Sequence, residues 1–335
     1  MDDIQEIKNI ACGLLNRNLE PVQSLIIMRD LLDVSKDDSL LIEEEEKVMC
    51  SKWVKELEET QKLDGTWGRF HSQDSSIKRK FPTTEIAVNR ALSLGLKADS
   101  SILSKCVAFM VRIINGADSW PDRVEKFDEW PVMTKIVTAA TLSRVDRNHS
   151  DLENIWKLWA EITESAFETG EHNADRELAA FEEVTKLRPT NRDSKLNKMY
   201  PLILLSATSG RLNPDIEKSY LEWIWNSKEG IYYLTWFSMD ILPYITSKEF
   251  PFWLRAIDII IGYGYGKVLV ENSIDYLWSI RKKDGLWDFG AASKSADYAR
   301  SYCGWHLSGS WREPVNRQID CTIRILLLLK KYYSH

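Results

Sequence analysis

The chain has 335 residues, a formal net charge of -6 from 44 Lys and Arg against 50 Asp and Glu, and 44% apolar residues. That length supplies ample core for one large domain, and the acidic balance gives no electrostatic reason to expect nucleic acid or an anionic membrane surface. Five cysteines, scattered and without a CxxC pair, argue against a disulfide framework or a zinc ribbon and suit a reducing compartment.

Ile4, Ile7, Ile10, Ala11, Leu14 and Leu15 recur at helical spacing, and Pro21 opens a second helix through Leu25, Met28, Leu31 and Leu32. The stretch Met1 to Glu6 lacks the basic and apolar blocks of a signal peptide, and no apolar run is long enough to span a bilayer. The expectation is a soluble, cytoplasmic protein with no integral membrane segment. A third helix is expected over 40–62, with Glu43 to Glu46 as a solvated acidic face near its start.

That helix runs into Asp64-Gly65-Thr66-Trp67, the first of five glycine-centred turns that follow aromatic helical stretches; the others centre on Gly116, Gly170, Gly230 and Gly285. The glycines lie 51, 54, 60 and 55 residues apart, room for two helices and their connections each time, so the chain reads as repeated helical hairpins. After each turn comes a segment that opens with small or hydroxyl residues and is apolar on nearly all sides: 82–88, 130–137, 198–205, 237–242 and 319–329. These should form an inner layer of helices inside a more charged outer one. No segment asks for a strand, and no Pro-, Gly- or Ser-rich linker marks a boundary. The expected fold is all-α, a single domain over 1–335. It is an (α/α) toroid of five to six hairpins, with clear repeats over about 40–335 and the helices of 1–39 closing the ring. Long connections at 70–81, 122–129, 182–194 and 290–316 would build a cavity mouth if gathered at one end.

Fourteen tryptophans are about three times ordinary usage, enough to wall a cavity or to seal the joints between repeats. Asp240, Glu85, Lys135, Tyr200 and Arg324 fall in the apolar segments, where an unpaired charge is costly. Pointing inward, they would make a mixed-charge floor for a ligand with a charged head and an apolar body, such as a prenyl diphosphate. Pointing between helices, they would be paired structural groups. His306 with Cys303 reads either as packing with one hydrogen bond or as a nucleophile and base lacking a third member. His172 takes an aromatic's place in the third turn, while His71, His149 and His335 carry no pattern. Asp2 to Glu6 has the letters of an acidic magnesium motif without a second one to face it, and nucleotide or hydrolase signatures are absent. No metal or cofactor is expected.

Gln61-Lys62-Leu63-Asp64-Gly65-Thr66-Trp67 resembles the Q-and-W repeat of squalene and oxidosqualene cyclases, in which a Gln at a helix end and a Trp after the turn tie neighbouring hairpins together. Arg281 to Trp287 is similar at its Gly-x-Trp end, with Arg281 where the Gln would stand. The resemblance implies the terpene-cyclase and prenyltransferase toroid family, as a single-domain member.

Asp320-Cys321-Thr322 is similar to the Asp-Cys-Thr core of the oxidosqualene cyclase acid motif. This similarity implies that Asp320 is a general acid protonating an epoxide or alkene, with Cys321 as its hydrogen-bonding support. Asp240 is a second candidate acid, and aromatic faces would steady the carbocation. The motif continues as Ile323-Arg324 rather than Ala-Glu, and a helix N-cap is the alternative reading of Asp320. Candidate substrate contacts are Trp67, Trp236, Trp287, Trp305, His306 and Trp311 together with Glu85, Lys135, Tyr200 and Arg324.

The Gly285 to Asp288 and Ser301 to Gly309 stretches are similar in layout to the β subunit of protein prenyltransferases. That family's zinc-binding His would fall at Tyr302, and its Asp-x-Cys pair has no counterpart, so a catalytic zinc is not expected. Class II cyclases enclose their cavity between two helical domains, so a homodimer or a partner subunit would have to supply the second wall here. The expected function is a terpenoid-cyclase-like isomerase or lyase, acting by acid-initiated carbocation chemistry on an isoprenoid or other apolar substrate. The alternatives are a non-catalytic lipid- or partner-binding toroid and a carbohydrate-active (α/α)6 barrel, for which Asp240 and Glu85 would be the carboxylate pair.

Overall fold

A computed structural model describes residues 3–72, 80–124, 130–189, 196–208, 210–290, 306–307, 309 and 311–334. Fourteen α-helices lie among the described residues, with no strand there beyond an isolated bridge between Lys198 and Tyr232. They are α1 (Asp3–Leu15), α2 (Pro21–Ile26), α3 (Ser39–Met49), α4 (Lys52–Thr60), α5 (Thr84–Ser93), α6 (Ser101–Ile114) and α7 (Trp130–Val145). There follow α8 (Glu153–Ala166), α9 (Ala174–Thr185), α10 (Met199–Ser206), α11 (Pro214–Trp225), α12 (Phe250–Ile260), α13 (Gly266–Ser279) and α14 (Pro314–Tyr333). A π-helical turn, Ile27–Leu31, extends α2.

Four of the five segments expected to be inner helices are buried over most of their length, in α5, α7, α10 and α14. The fifth expectation is corrected. Residues 237–242 lie in turns, and α12 is the apolar helix of that part of the chain. Pro243 sets the limit, because the residue before a proline is driven out of helical conformation, whereas Pro251 suits the first turn of α12. The helix expected over 40–62 is likewise two, since Ser51 ends α3 and caps α4 by accepting from the Val54 N–H.

Helix α5 packs on α7, α7 on α10 and α10 on α12, while α14 packs on α1, α2, α13 and the π-helical turn. The first and last helices of the chain are therefore neighbours. Outside this series, α8 packs on α9, and α11 on both α8 and α13.

The turns repeat in atomic detail. Lys62 N–H donates to the Thr66 carbonyl at 2.8 Å, and Lys282 N–H to the Leu286 carbonyl at 2.9 Å. Gly65 takes φ +94° inside the first of these loops, and a Cβ there would collide with the backbone carbonyl of Lys105. Gln61 Nε2 donates to the carbonyls of Gly65 and of Ile102 in α6, both at 2.9 Å. Arg281, at the matching place, donates instead to Glu6 in α1 at 2.7 Å. Relative to the last hairpin, α1 thus stands where α6 stands relative to the first.

Candidate functional site

The C-terminal ends of α5 and α7, one face of α12 from Pro251 to Asp258, Phe289 and α14 line an open cavity of about 370 Å³. Leu92, Leu254, Phe289, Leu327 and Leu328 give it an apolar wall; Arg144, Arg255, Arg324 and Lys331 give it a cationic one, with Asp258 as its carboxylate. A second chamber of about 360 Å³ shares Leu92, Arg144, Arg255, Asp258 and Lys331 and adds Arg147, Ser143 and Ser206. Each charge comes from a mostly apolar helix. Arg255 and Asp258 sit three residues apart on α12, and Arg144 is the basic residue in the last turn of α7.

Asp258 accepts from Lys331 Nζ at 3.0 Å and from Arg255. Burial alone would push its carboxyl up, but Lys331, Arg255 and Arg144 together hold it well below the ordinary carboxylate range. Arg144 donates to the Asn89 side-chain oxygen, and burial with the neighbouring Arg255 cation pushes its guanidinium down to about 9. Such a depression marks a cation that is crowded as well as desolvated, since arginine otherwise stays charged under all ordinary conditions.

Behind this wall lies Asp320, wholly buried. It accepts from Gln23 Nε2 at 2.6 Å, from the Leu307 N–H at 2.9 Å and from Trp311 Nε1. It occupies the interior of α14, which begins at Pro314, so the N-cap reading is corrected. These three partners are donors, and the carboxyl serves them as acceptor. Cys321 Sγ accepts from the Phe289 N–H at 3.4 Å, and burial pushes its thiol up. His306 stacks on Trp311 with centroids 4.3 Å apart, its backbone carbonyl accepts from Arg90, and burial pushes its imidazole down to about 4.

Two of the tryptophans seal joints between helices. Trp67 and Trp287 are buried, and each indole N–H bonds to a backbone carbonyl of the preceding helix. Trp236 is half exposed in the loop before α12, and Trp305 lies outside the described residues, as do Tyr302 and Cys303. Two inward placements are corrected: Lys135 and Asp240 are both exposed. Lys135 occupies the outer side of α7, whereas Asp240 follows from the missing helix at 237–242.

Comparison with family models, curated proteins and solved structures gives no match to this chain.

Glu85 and Tyr200 do come together, joined by a residue to which the sequence assigned no role. Tyr200 OH lies 2.9 Å from His71 Nδ1 and 3.1 and 3.2 Å from the two Glu85 oxygens, and His71 Nδ1 is 2.9 Å from Glu85 Oε2. Asp122 orders the loop that carries His71 by accepting the backbone N–H groups of Phe70, His71 and Ser72. Glu85 and Tyr200 stand at the N-terminal ends of α5 and α10, whereas the cavity is lined by the C-terminal ends of α5 and α7. Asn89, one turn after Glu85, reaches that cavity through Arg144.

Arg144, Arg255 and Asp258 had a signal in the sequence, namely charges within mostly apolar helical stretches, whereas Lys331 beside Lys330 had none. Among the described residues no three His, Cys, Asp or Glu side chains converge as metal ligands, and no helix is long and apolar enough to cross a membrane.

Proposed function

We propose that the hairpins close into an (α/α) ring whose interior binds an amphiphilic anion, an isoprenoid or other apolar body carrying an acidic head. The contact of α1 with α14 supports closure, and so does the matching reach of Gln61 to α6 and Arg281 to α1. The ligand class rests on one observation: the cavity sets the apolar wall of Leu92, Leu254, Phe289, Leu327 and Leu328 against Arg144, Arg255, Arg324 and Lys331. Its volume of about 370 Å³ falls within the usual range for small-molecule sites. Native mass spectrometry with farnesyl diphosphate and with dodecanoate tests this reading. A one-to-one adduct with at least one of them is expected, and adducts with neither would remove it.

A further inference from the structure

Resting on that reading, we infer that the ligand's head carries hydroxyl donors beside its acid, as a glycerophosphate or a sugar phosphate does, and that this hydroxylated part lies in the second chamber. The two hollows share Leu92, Arg144, Arg255, Asp258 and Lys331, so a ligand seated in the first with its acid at these cations faces directly into the second. The first has a wall of leucines and Phe289 for an apolar body. The second, of about 360 Å³, adds Ser143, Ser206 and Arg147 to the shared charges. A bare carboxylate or phosphate ending at the shared cations would leave that volume unused.

The second chamber offers acceptors as well as donors. Ser143 Oγ donates to the Ala140 carbonyl at 2.9 Å and Ser206 Oγ to the Ile203 carbonyl at 2.7 Å, so each hydroxyl places its one proton within its own helix and meets the chamber as an acceptor. Asp258 is a third acceptor, with more lone-pair sites than its bonds from Lys331 and Arg255 fill. Helices α7, α10 and α12 all end here, at Val145, Ser206 and Ile260, and the last carbonyls of a helix add acceptors and the negative end of its dipole. An anionic oxygen suits Arg144, Arg255 and Lys331 but is repelled by Asp258 and by those helix ends. A neutral hydroxyl donates to the acceptors and accepts from Arg147, so it matches the chamber on both counts. A second acidic group there would bring negative charge to three helix C-termini, and hydroxyls bring none.

Isothermal titration of the full chain at pH 7 with dodecanoate, dodecyl phosphate and dodecanoyl lysophosphatidylglycerol, each below its micelle concentration, tests the inference. The three probes share one chain length, and the lysolipid bears a single negative charge against about 1.5 to 2 on dodecyl phosphate, so charge alone ranks dodecyl phosphate above it. The lysolipid is nevertheless expected to bind at least about tenfold more tightly than dodecyl phosphate. Ser206→Leu and Ala207→Leu, half-buried positions at the end of α10 that line the second chamber, each put an apolar side chain where the hydroxyls would lie. Each should weaken the lysolipid by about tenfold or more and leave dodecyl phosphate within about threefold. Either variant suffices if a thermal melt shows the other unfolded, and the ranking of the probes is a test without them. Dodecyl phosphate binding as tightly as the lysolipid, or a folded variant that weakens both alike, would overturn the hydroxylated head while leaving the amphiphile reading intact. No binding of any probe overturns both.

Discussion

Trp67 and Trp287, near opposite ends of the chain, occupy the same position in two hairpins. Their indole N–H groups donate to the carbonyls of Leu57 and Leu277 at 2.9 and 2.7 Å, and their backbone N–H groups donate to Thr84 and Thr322, each at 3.1 Å. Each tryptophan thereby ties the helix before its turn to the apolar helix after it. Replacing either with Phe removes the indole donor from the tie, the Leu57 carbonyl keeping its bond from the Gln61 N–H, and should cost about 1–2 kcal/mol. Urea denaturation measures that loss, and ligand affinity in the folded variants should stay unchanged because neither residue lines the cavity.

Asp258 separates stability from binding. Asp258→Asn leaves Arg255 and Lys331 without their carboxylate, and breaking these half-buried ion pairs should cost about 1–2 kcal/mol in chemical denaturation. The same change removes the carboxylate among the described lining residues, so affinity for farnesyl diphosphate should increase. A variant that loses stability and affinity together would contradict the electrostatic account.

His306 predicts an acid limb in the stability profile. Its folded-state value of about 4 lies below the ordinary histidine value, so the unfolded chain binds more protons between about pH 4 and 6.5. Stability should therefore rise with pH through that window, stay level above it, and be lost as the solution is acidified toward pH 4. With part of the ring still open to solvent, the contribution is on the order of 1–2 kcal/mol. His306→Gln should flatten this part of the curve when melting is followed from pH 4 to 7.

Tyr200→Phe removes the hydroxyl that binds both Glu85 and His71. Its expected cost is about 1–2 kcal/mol, because Glu85 stays buried with one donor fewer. Equilibrium unfolding against the parent protein checks it, and Glu85→Gln in the Tyr200→Phe background should cost less than it does alone, since the two share one network.

Much of the architecture was legible because it repeats locally. The turns at Gly65 and Gly285, the tryptophans that follow them and the apolar stretches in α5, α7, α10 and α14 each declare themselves within a few residues. Helix α12 escaped because a long loop separates it from the Gly230 turn, and Ser238-Met239-Asp240 before Pro243 has the look of a helix start that the proline forbids. The N-cap alternative for Asp320 failed for the opposite reason: Pro314 is the true start signal of α14, and the acid lies beyond it. The cationic wall was the least legible part. Arg144, Arg255, Arg324 and Lys331 belong to three helices far apart in sequence, and only packing brings them together. His71 carries no motif at all and gains its place from the loop that Asp122 orders.

The replacement of a Gln61-like amide by Arg281 changes the character of one joint. Between the first hairpin and α6 the link is a neutral amide on carbonyls, indifferent to dissolved salt; between the last hairpin and α1 it is an ion pair with Glu6, partly open to water. Mobile ions weaken such a pair. The joint between α1 and the turn after α13 is therefore tuned by the electrolyte around it, and in brine α1 is the helix whose hold on that turn slackens.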